Sequence, residues 1–353
     1  MTDVLPIDIN RVEVSRRAET DFSDLKFGKE FSDHMFTADY IDGSWQNLTI
    51  LPYGPMSFTP GISALHYGQA IFEGMKAHRG PDGNVRVFRP YANLERFNIS
   101  AERLCMPSVP EDVFMGGLTA LLQLDENWVP DAPGSSLYIR PFMFATDSFI
   151  GIRPSDTYKF VIFTCPVGAY YTEPVRVKIE TQYSRSCEGG MGYAKTPGNY
   201  AGALYPTKLA QQQGYHQLLW TDARDHKYFE ESGTMNLMFV MGDTLLTPKL
   251  STSILAGVTR DSVVQIAKAW GMPVEERRVS VEEIIRGLEN GELKEAFGVG
   301  TAAVIAHISV IGFEGTNYEL PYDSNSFSRR VKEEMANIKT GQTEDVNGWI
   351  YTI

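Results

Sequence analysis

The sequence predicts a two-domain α+β protein. Three observations carry this. The chain has 353 residues, more than one core usually spans. Apolar runs of strand type are interleaved with segments whose apolar residues recur at helical spacing. A stretch rich in turn formers, "TDSFIGIRPSDT" (Thr146 to Thr157), sits between two apolar runs and reads as a linker. The expected organisation is a smaller N-terminal domain over 1–145, a linker over 146–157, and a larger β-rich domain over 158–353 with helices outside.

The elements follow in order. "FTADYIDGSWQNLTILPYG" reads as a hairpin with Asp42-Gly43 at its turn. "NVRVFRP" is a strand that stops at Pro90, and "YANLERFNISAERLC" then places Leu94, Phe97, Ala101 and Leu104 on one helix face. "EDVFMGGLTALLQLDENWV" is a second helix, weakened by its glycine pair, and "SSLYIRPFMFA" is a buried strand. Past the linker, "YKFVIFTCPVGAYY" and "VRVKIETQYS" are strands. "ALYPTKLAQQQGY" is helical, with Pro206 limiting where it begins. "QLLW", "YFEES" and "NLMFVMGDTLLTP" are strands, the last turning at Gly242-Asp243. "GVTRDSVVQIAKAWG" has glycine and threonine at its start, Asp261 in its first turn and Gly271 after its end. "SVEEIIRGLENG" carries a capping box of Ser280 and Glu283. "EAFGVGTAAVIAHISVI" is an apolar strand region broken by Gly298 and Gly300, and "NSFSRRVKEEMANIK" is a polar helix.

Composition narrows the function. Hydrophobic residues make up 43% of the chain and charged residues 22%, the balance of an ordinary soluble protein. A net charge of -12 without a basic stripe argues against nucleic-acid binding. Cys105, Cys165 and Cys187 are scattered and show neither a disulfide framework nor a metal-ligand spacing, so no metal is expected. No apolar run reaches the length of a membrane span, and a cytoplasmic protein is the expectation.

The stretch "GYAKTPGNYAG" puts one lysine, Lys195, among glycines and a proline. A desolvated lysine amine stays nucleophilic and invites a Schiff base, with pyridoxal phosphate the usual partner. That cofactor asks for a phosphate cup, an acid at the pyridine nitrogen and a group at the ring oxygen. Candidates for each are present. The cup could be Gly257-Val258-Thr259 at a helix start, where free amides hold anions, or "GVGTAA" with Thr301. The acid could be Glu231 and the ring-oxygen partner Tyr200. Read one at a time, these are also a capped helix, a β-bulge, a solvated strand-end glutamate and a half-buried tyrosine.

Their combination is more specific. "GYAKTPGNYAGAL", "EESGTMNLMFV", "GVTRDSV" and "GVGTAAVI" occur in that order, after "YGQAIFEGMKAHR" and "FRPYANLERFNISAERLCMP". From about Phe36 onward the chain resembles the branched-chain aminotransferases, pyridoxal-phosphate enzymes of the class IV aminotransferase fold. The resemblance implies a fold type IV architecture, with a small α/β domain and a larger domain built on a pseudo-barrel. It implies that Lys195 carries the Schiff base, that Tyr200 bonds the ring hydroxyl and that Glu231 faces the pyridine nitrogen. Arg96 would contact the phosphate with Val258, Thr259 and Thr301. Phe72, Tyr138, Thr234, Ala302 and Ala303 would line the substrate pocket, and Arg140 would meet a carboxylate. Tyr67 and the segment Phe149 to Ile152, with Ile150 and Ile152, would serve the neighbouring copy of a homodimer. The implied reaction moves an amino group from leucine, isoleucine or valine to 2-oxoglutarate in ping-pong fashion.

Two departures stand out. The Cys-x-x-Cys pair that animal members carry after the threonine of the second cup is absent here. Lys195 is followed by Thr196-Pro197 in place of a glycine pair. D-amino-acid aminotransferase and aminodeoxychorismate lyase share the lysine and glutamate, but are shorter and are not expected to carry "FEGMKA" or "LYIRP". A non-catalytic cofactor-binding scaffold would keep the phosphate cups without needing Lys195 and Tyr200.

Overall fold

The computed structural model describes residues 6–168, 173–321 and 323–353. The chain forms two contact units: Met1–Tyr170 with Ala194–Pro197 and Asn337–Ile353, and Tyr171–Tyr193 with Gly198–Ala336.

The first unit contains β1 (Asp8–Ile9), β2 (His34–Ile41), β3 (Ser44–Pro52), α1 (Ser63–Tyr67), β4 (Ala70–Phe72), β5 (Met75–Arg79), β6 (Val85–Phe88), α2 (Pro90–Arg103), α3 (Glu111–Leu124), β7 (Ser136–Ala145) and β8 (Tyr158–Val167). The strands form one sheet in the order β1-β3-β2-β8-β7-β5-β6, with β4 also on β7. Asp42 and Gly43 take φ of 51° and 79°, the positive values that a tight hairpin turn needs, so β2 and β3 pair as expected. In α2, Leu94, Phe97 and Ala101 are buried, as their spacing requires. Phe97, Phe114 and Phe160 pack with centroids 5.5–5.8 Å apart at the centre of this core. One of the two glycines in α3 has a packing reason: a Cβ at Gly117 would overlap the Phe36 ring, whereas one at Gly116 would meet nothing. The helix therefore lies close on the sheet.

The expected boundary at 146–157 does not divide the contact units. That stretch joins β7 to β8, which pair along their whole length within one sheet. Thr146 and Asp147 hold Asp156 and Thr157 across its base. The strand expected from Tyr158 ends at Val167, and residues 169–171 of that expectation lie outside the described residues.

The second unit contains β9 (Val175–Ile179), α4 (Pro197–Ala201), α5 (Leu204–Gln212), β10 (Gln217–Thr221), β11 (Phe229–Ser232), β12 (Met235–Met241), β13 (Thr244–Pro248), α6 (Val258–Ala269), β14 (Val274–Arg277), α7 (Val281–Glu289), β15 (Leu293–Gly300), β16 (Val304–Phe313), β17 (Thr316–Glu319) and α8 (Phe327–Thr340). The last turn of α8 and β18 (Ile350–Thr352) belong to the first unit, where β18 pairs with β6. Strands β11-β10-β9-β16-β15-β12 are paired in series, and β11 pairs with β12 again. The ring closes into a barrel, as the pseudo-barrel expectation requires.

Local chemistry explains the departures. Pro206 sits in the first turn of α5, where its missing N–H costs nothing. Ser280 caps α7 by accepting from Glu283 N at 3.1 Å, but the Glu283 carboxylate turns to Arg277 instead of completing the box. Gly298 and Gly300 do not break a strand: β15 and β16 form a hairpin closed by Thr301–Ala303. A Cβ at Gly298 would press on the side chain of Met235 from β12. Val304 starts β16 at φ 61°, a strained value for a β-branched residue. Among the described residues no helix is long and apolar enough to cross a membrane.

Candidate active site

In the first unit, Lys195 is pinned at its backbone. Its N–H donates to Ser100 Oγ at 2.9 Å, and its carbonyl accepts from Phe72 N at 3.0 Å. Thr196, buried, donates its hydroxyl to Ala70 O at 2.9 Å. The lysine segment is thus seated on β4 and α2, and the glycines around it do not make it slack. Thr196 does the tethering, and Pro197 starts α4 with its pre-set φ. The half-buried Lys195 side chain lies with Nζ 5.0 Å from the centroid of Phe72.

The "FEGMK" block builds the surroundings residue by residue. Phe72 offers its face to Lys195 and also to Arg140, whose guanidinium carbon lies 4.8 Å from the ring centroid. Glu73, completely buried, holds Arg96 in two parallel bonds, Oε1 to Nε at 2.7 Å and Oε2 to Nη2 at 2.8 Å. Gly74 is required because a Cβ there would overlap the Tyr138 hydroxyl. Strand alternation puts Tyr138 and Arg140 on one face, where Arg140 Nη2 donates to Tyr138 Oη at 2.9 Å. On α2, Asn93, Arg96 and Ser100 form a buried polar row beside the apolar stripe of Leu94, Phe97 and Ala101. One helix therefore places both Arg96 and the anchor of Lys195. Tyr67, on α1, and Ile150 and Ile152 stand apart from this cluster: Tyr67 is 44% exposed, Ile150 69% and Ile152 93%.

In the second unit, Glu231 sits on β11 opposite Asn236 of β12, and Gly233 at φ 56° makes the two-residue turn with exposed Thr234. Glu231 Oε1 accepts from Arg185 Nη2 at 2.8 Å and from Leu255 N at 2.7 Å. The same Nη2 donates to Gly192 O and Ser253 O at 3.1 and 2.9 Å. Asn236 Nδ2 holds Leu255 O at 2.8 Å. The loop 253–257 is thereby fixed to the carboxylate, and it leads straight into α6. Gly257 is the N-cap of α6 and offers no capping side chain; a Cβ there would overlap the Asn236 side chain. Val258 and Thr259 open the helix and are buried, while Thr301, Ala302 and Ala303 form the half-buried β15–β16 turn. Tyr200 is half-buried on α4.

Glu230, beside Glu231, is also buried. Burial pushes its carboxyl up to about 7, although Ser253 Oγ donates to it. Its Oε2 is buried with no hydrogen-bond partner among the described residues.

A family model described as amino-transferase class IV matches residues 70–311, more than half of the chain. The chain belongs to the class IV aminotransferases. It is 41% identical over 346 residues to the branched-chain-amino-acid aminotransferase 2 of Bacillus subtilis, covering 96% of this chain and 95% of that one. The crystal structure of the Escherichia coli branched-chain amino acid aminotransferase superposes with a TM-score of 0.74 at 25% identity, covering 90% of this chain and 98% of the other. The branched-chain amino acid aminotransferase of T.th., crystallised with pyridoxamine 5'-phosphate, does so at 0.72 and 25%, covering 89% and 97%. This aminotransferase therefore falls within the branched-chain branch of the family, and pyridoxal phosphate is its cofactor.

The residues present fit that group. A clamped, buried carboxylate, a helix start with no side-chain cap and a lysine fixed by its backbone are donors of the right chemistry. Glu73, Ser100, Arg185 and Ser253 escape the sequence reading. A glutamate inside the apolar run "AIFEGM" was the one available signal, since a buried acid needs a cation.

Proposed function

We propose that this aminotransferase transfers the amino group of leucine, isoleucine or valine to 2-oxoglutarate, reversibly and in two half-reactions, with pyridoxal phosphate attached through Lys195. The observation that carries the residue assignment is Lys195 itself: its peptide is bonded on both sides while its side chain extends over Phe72. A fixed backbone suits a lysine whose amine must let go of one partner and act on another.

When bound, the cofactor supplies an electron sink for the substrate α-carbon and a carrier for the amino group. Lys195 Nζ, once released, takes and returns the α-proton. Glu231, charged beside Arg185, favours a proton on the ring nitrogen. Tyr200 meets the ring hydroxyl. Arg96, Val258, Thr259 and Thr301 hold the phosphate, and Glu73 keeps Arg96 in place. Phe72, Tyr138, Thr234, Ala302 and Ala303 contact the substrate side chain. Arg140 takes the second carboxylate of glutamate.

A homodimer is part of the proposal. Leu65, Tyr67, Phe149, Ile150 and Ile152 are exposed apolar residues of α1 and the 146–157 stretch, which an isolated copy would leave wet. Ile62 at the start of α1 bridges to Ser148, so the two segments share one edge, and a second copy of this chain covers it. A cytoplasmic setting belongs to the same reading.

Mixing the protein with L-leucine and 2-oxoglutarate and measuring glutamate tests the function. Glutamate formation is expected. Turnover of D-alanine or of aminodeoxychorismate with none of L-leucine would move the chain to another branch of the fold.

A further inference from the structure

Arg185 lies in the loop that precedes Lys195. Its side chain is 8% exposed and that of Glu231 is 4%. A single nitrogen, Nη2, serves three acceptors from three segments: Gly192 O, three residues before Lys195; the Glu231 carboxylate; and Ser253 O, in the loop that leads to α6. A buried carboxylate without a cation would take up a proton or turn toward water. The Leu255 N–H adds a second donor to the same oxygen, Oε1, and so fixes which way the carboxyl plane faces.

Ser253 is the joint of this network. Its carbonyl accepts from Arg185, and its hydroxyl donates to Glu230, the neighbouring acid. Two adjacent buried glutamates are thus treated differently: Glu231 receives the guanidinium, and Glu230 receives only a hydroxyl. Of the two acids, only Glu231 has the guanidinium as a hydrogen-bond donor.

Resting on the aminotransferase reading above, we infer that Arg185 is the positioning residue for Glu231, supplying its cation and tying its direction to the lysine loop and the α6 loop. Arg185 itself touches neither substrate nor cofactor. It acts through the carboxylate.

The test compares the wild type with Arg185→Gln, Arg185→Lys, Glu231→Gln and the double variant Arg185→Gln/Glu231→Gln. Two quantities are read on the reconstituted holoenzymes: the dissociation constant of pyridoxal phosphate, and the pH midpoint of the bound cofactor's visible absorption. Arg185→Gln is expected to weaken cofactor binding about tenfold and to shift the midpoint by about one pH unit, the two being equivalent in free energy. Glu231→Gln is expected to shift it in the same direction. The double variant should be no worse than the worse single, because both changes remove one interaction. Arg185→Lys should restore part of the shift. A folded Arg185→Gln enzyme with the wild-type midpoint, or a double variant whose shift is the sum of the singles, overturns the inference. If Arg185→Gln does not fold, the double variant decides. Its folding would show that the defect was an uncompensated Glu231, and its failure to fold would show that Arg185 serves the carbonyls regardless of Glu231. The aminotransferase reading is judged separately, on wild-type turnover. If that fails, thermal melting of the apoproteins of the wild type, Arg185→Gln, Glu231→Gln and the double variant still reads the Arg185–Glu231 coupling.

Discussion

In the first unit, Glu73 grips Arg96 with both oxygens, and nothing about the acid is open to exchange: it is fully buried and shaped to one partner. In the second unit, Arg185 spreads one nitrogen over a carboxylate and two carbonyls, while Glu231 collects a guanidinium and an amide on one oxygen. Both are buried arginine–glutamate pairs, yet the functional partner differs. In the first pair the acid serves the cation, which is proposed to meet a phosphate. In the second the cation serves the acid, which is proposed to meet a ring nitrogen. Buried ion pairs of similar length are therefore not interchangeable units of stability. What each one offers to a ligand depends on which partner is saturated.

The largest expected effect falls on the tighter pair. Glu73→Ala leaves Arg96 buried without its partner and should cost about 3–5 kcal/mol in urea unfolding of the first unit. A cost below about 1 kcal/mol would mean that Arg96 reaches water, and the contrast between the pairs would collapse. Glu231→Gln comes next. Turnover with leucine should fall by at least about 100-fold while pyridoxal phosphate still attaches, since the charge is lost and the shape kept. Unchanged turnover would remove the reason for the second pair. Arg140→Met sharpens the comparison with an arginine that is stacked on Phe72 and bonded to Tyr138 but has no carboxylate among its described contacts. The single-turnover rate with glutamate should fall over about tenfold more than that with leucine. Equal losses would assign Arg140 to the fold or to the shared α-carboxylate.

A further effect concerns Glu230 and is read as a pH dependence. Its folded value of about 7 lies above the ordinary 4.5, so the folded state binds the extra proton between these two. Stability accordingly falls as pH rises from about 4.5 to about 7, by an amount on the order of 3 kcal/mol. Glu230→Gln should abolish that slope. Melting temperatures of the two proteins across this range check it, and parallel curves would mean that Glu230 is solvated.

Much of this was legible in the sequence, for reasons that differ by element. The hairpin at Asp42-Gly43, helices α2, α6 and α7 and the strand around Tyr138 and Arg140 follow local rules, and local rules are written locally. Short α1, β4 and β5 were not separated, because each is only three to five residues long, and β4 and β5 take their form from pairing with β7. Turn formers at 146–157 mark a stapled turn between two paired strands as readily as a linker. In the site, Lys195 and Glu231 stand in motifs, but their keepers do not. Ser100 lies 95 residues before the lysine it anchors, and Arg185 46 residues before the acid it clamps. Such partners become visible only when the chain is folded.

The most direct measurement is to reduce the holoenzyme with borohydride, digest it and locate the cofactor by mass spectrometry. Two lysines more deeply buried than Lys195 make the outcome informative: Lys76 on β5, and Lys339, whose amine is pushed down to about 7 by burial and by Lys76. A deprotonated amine is a nucleophile, so low basicity alone would favour Lys339. What sets Lys195 apart is a backbone anchored on both sides with the amine over Phe72, and the expected result is a single modified peptide containing Lys195. A cofactor found on Lys339 or Lys76, with Lys195 unmodified, would contradict it.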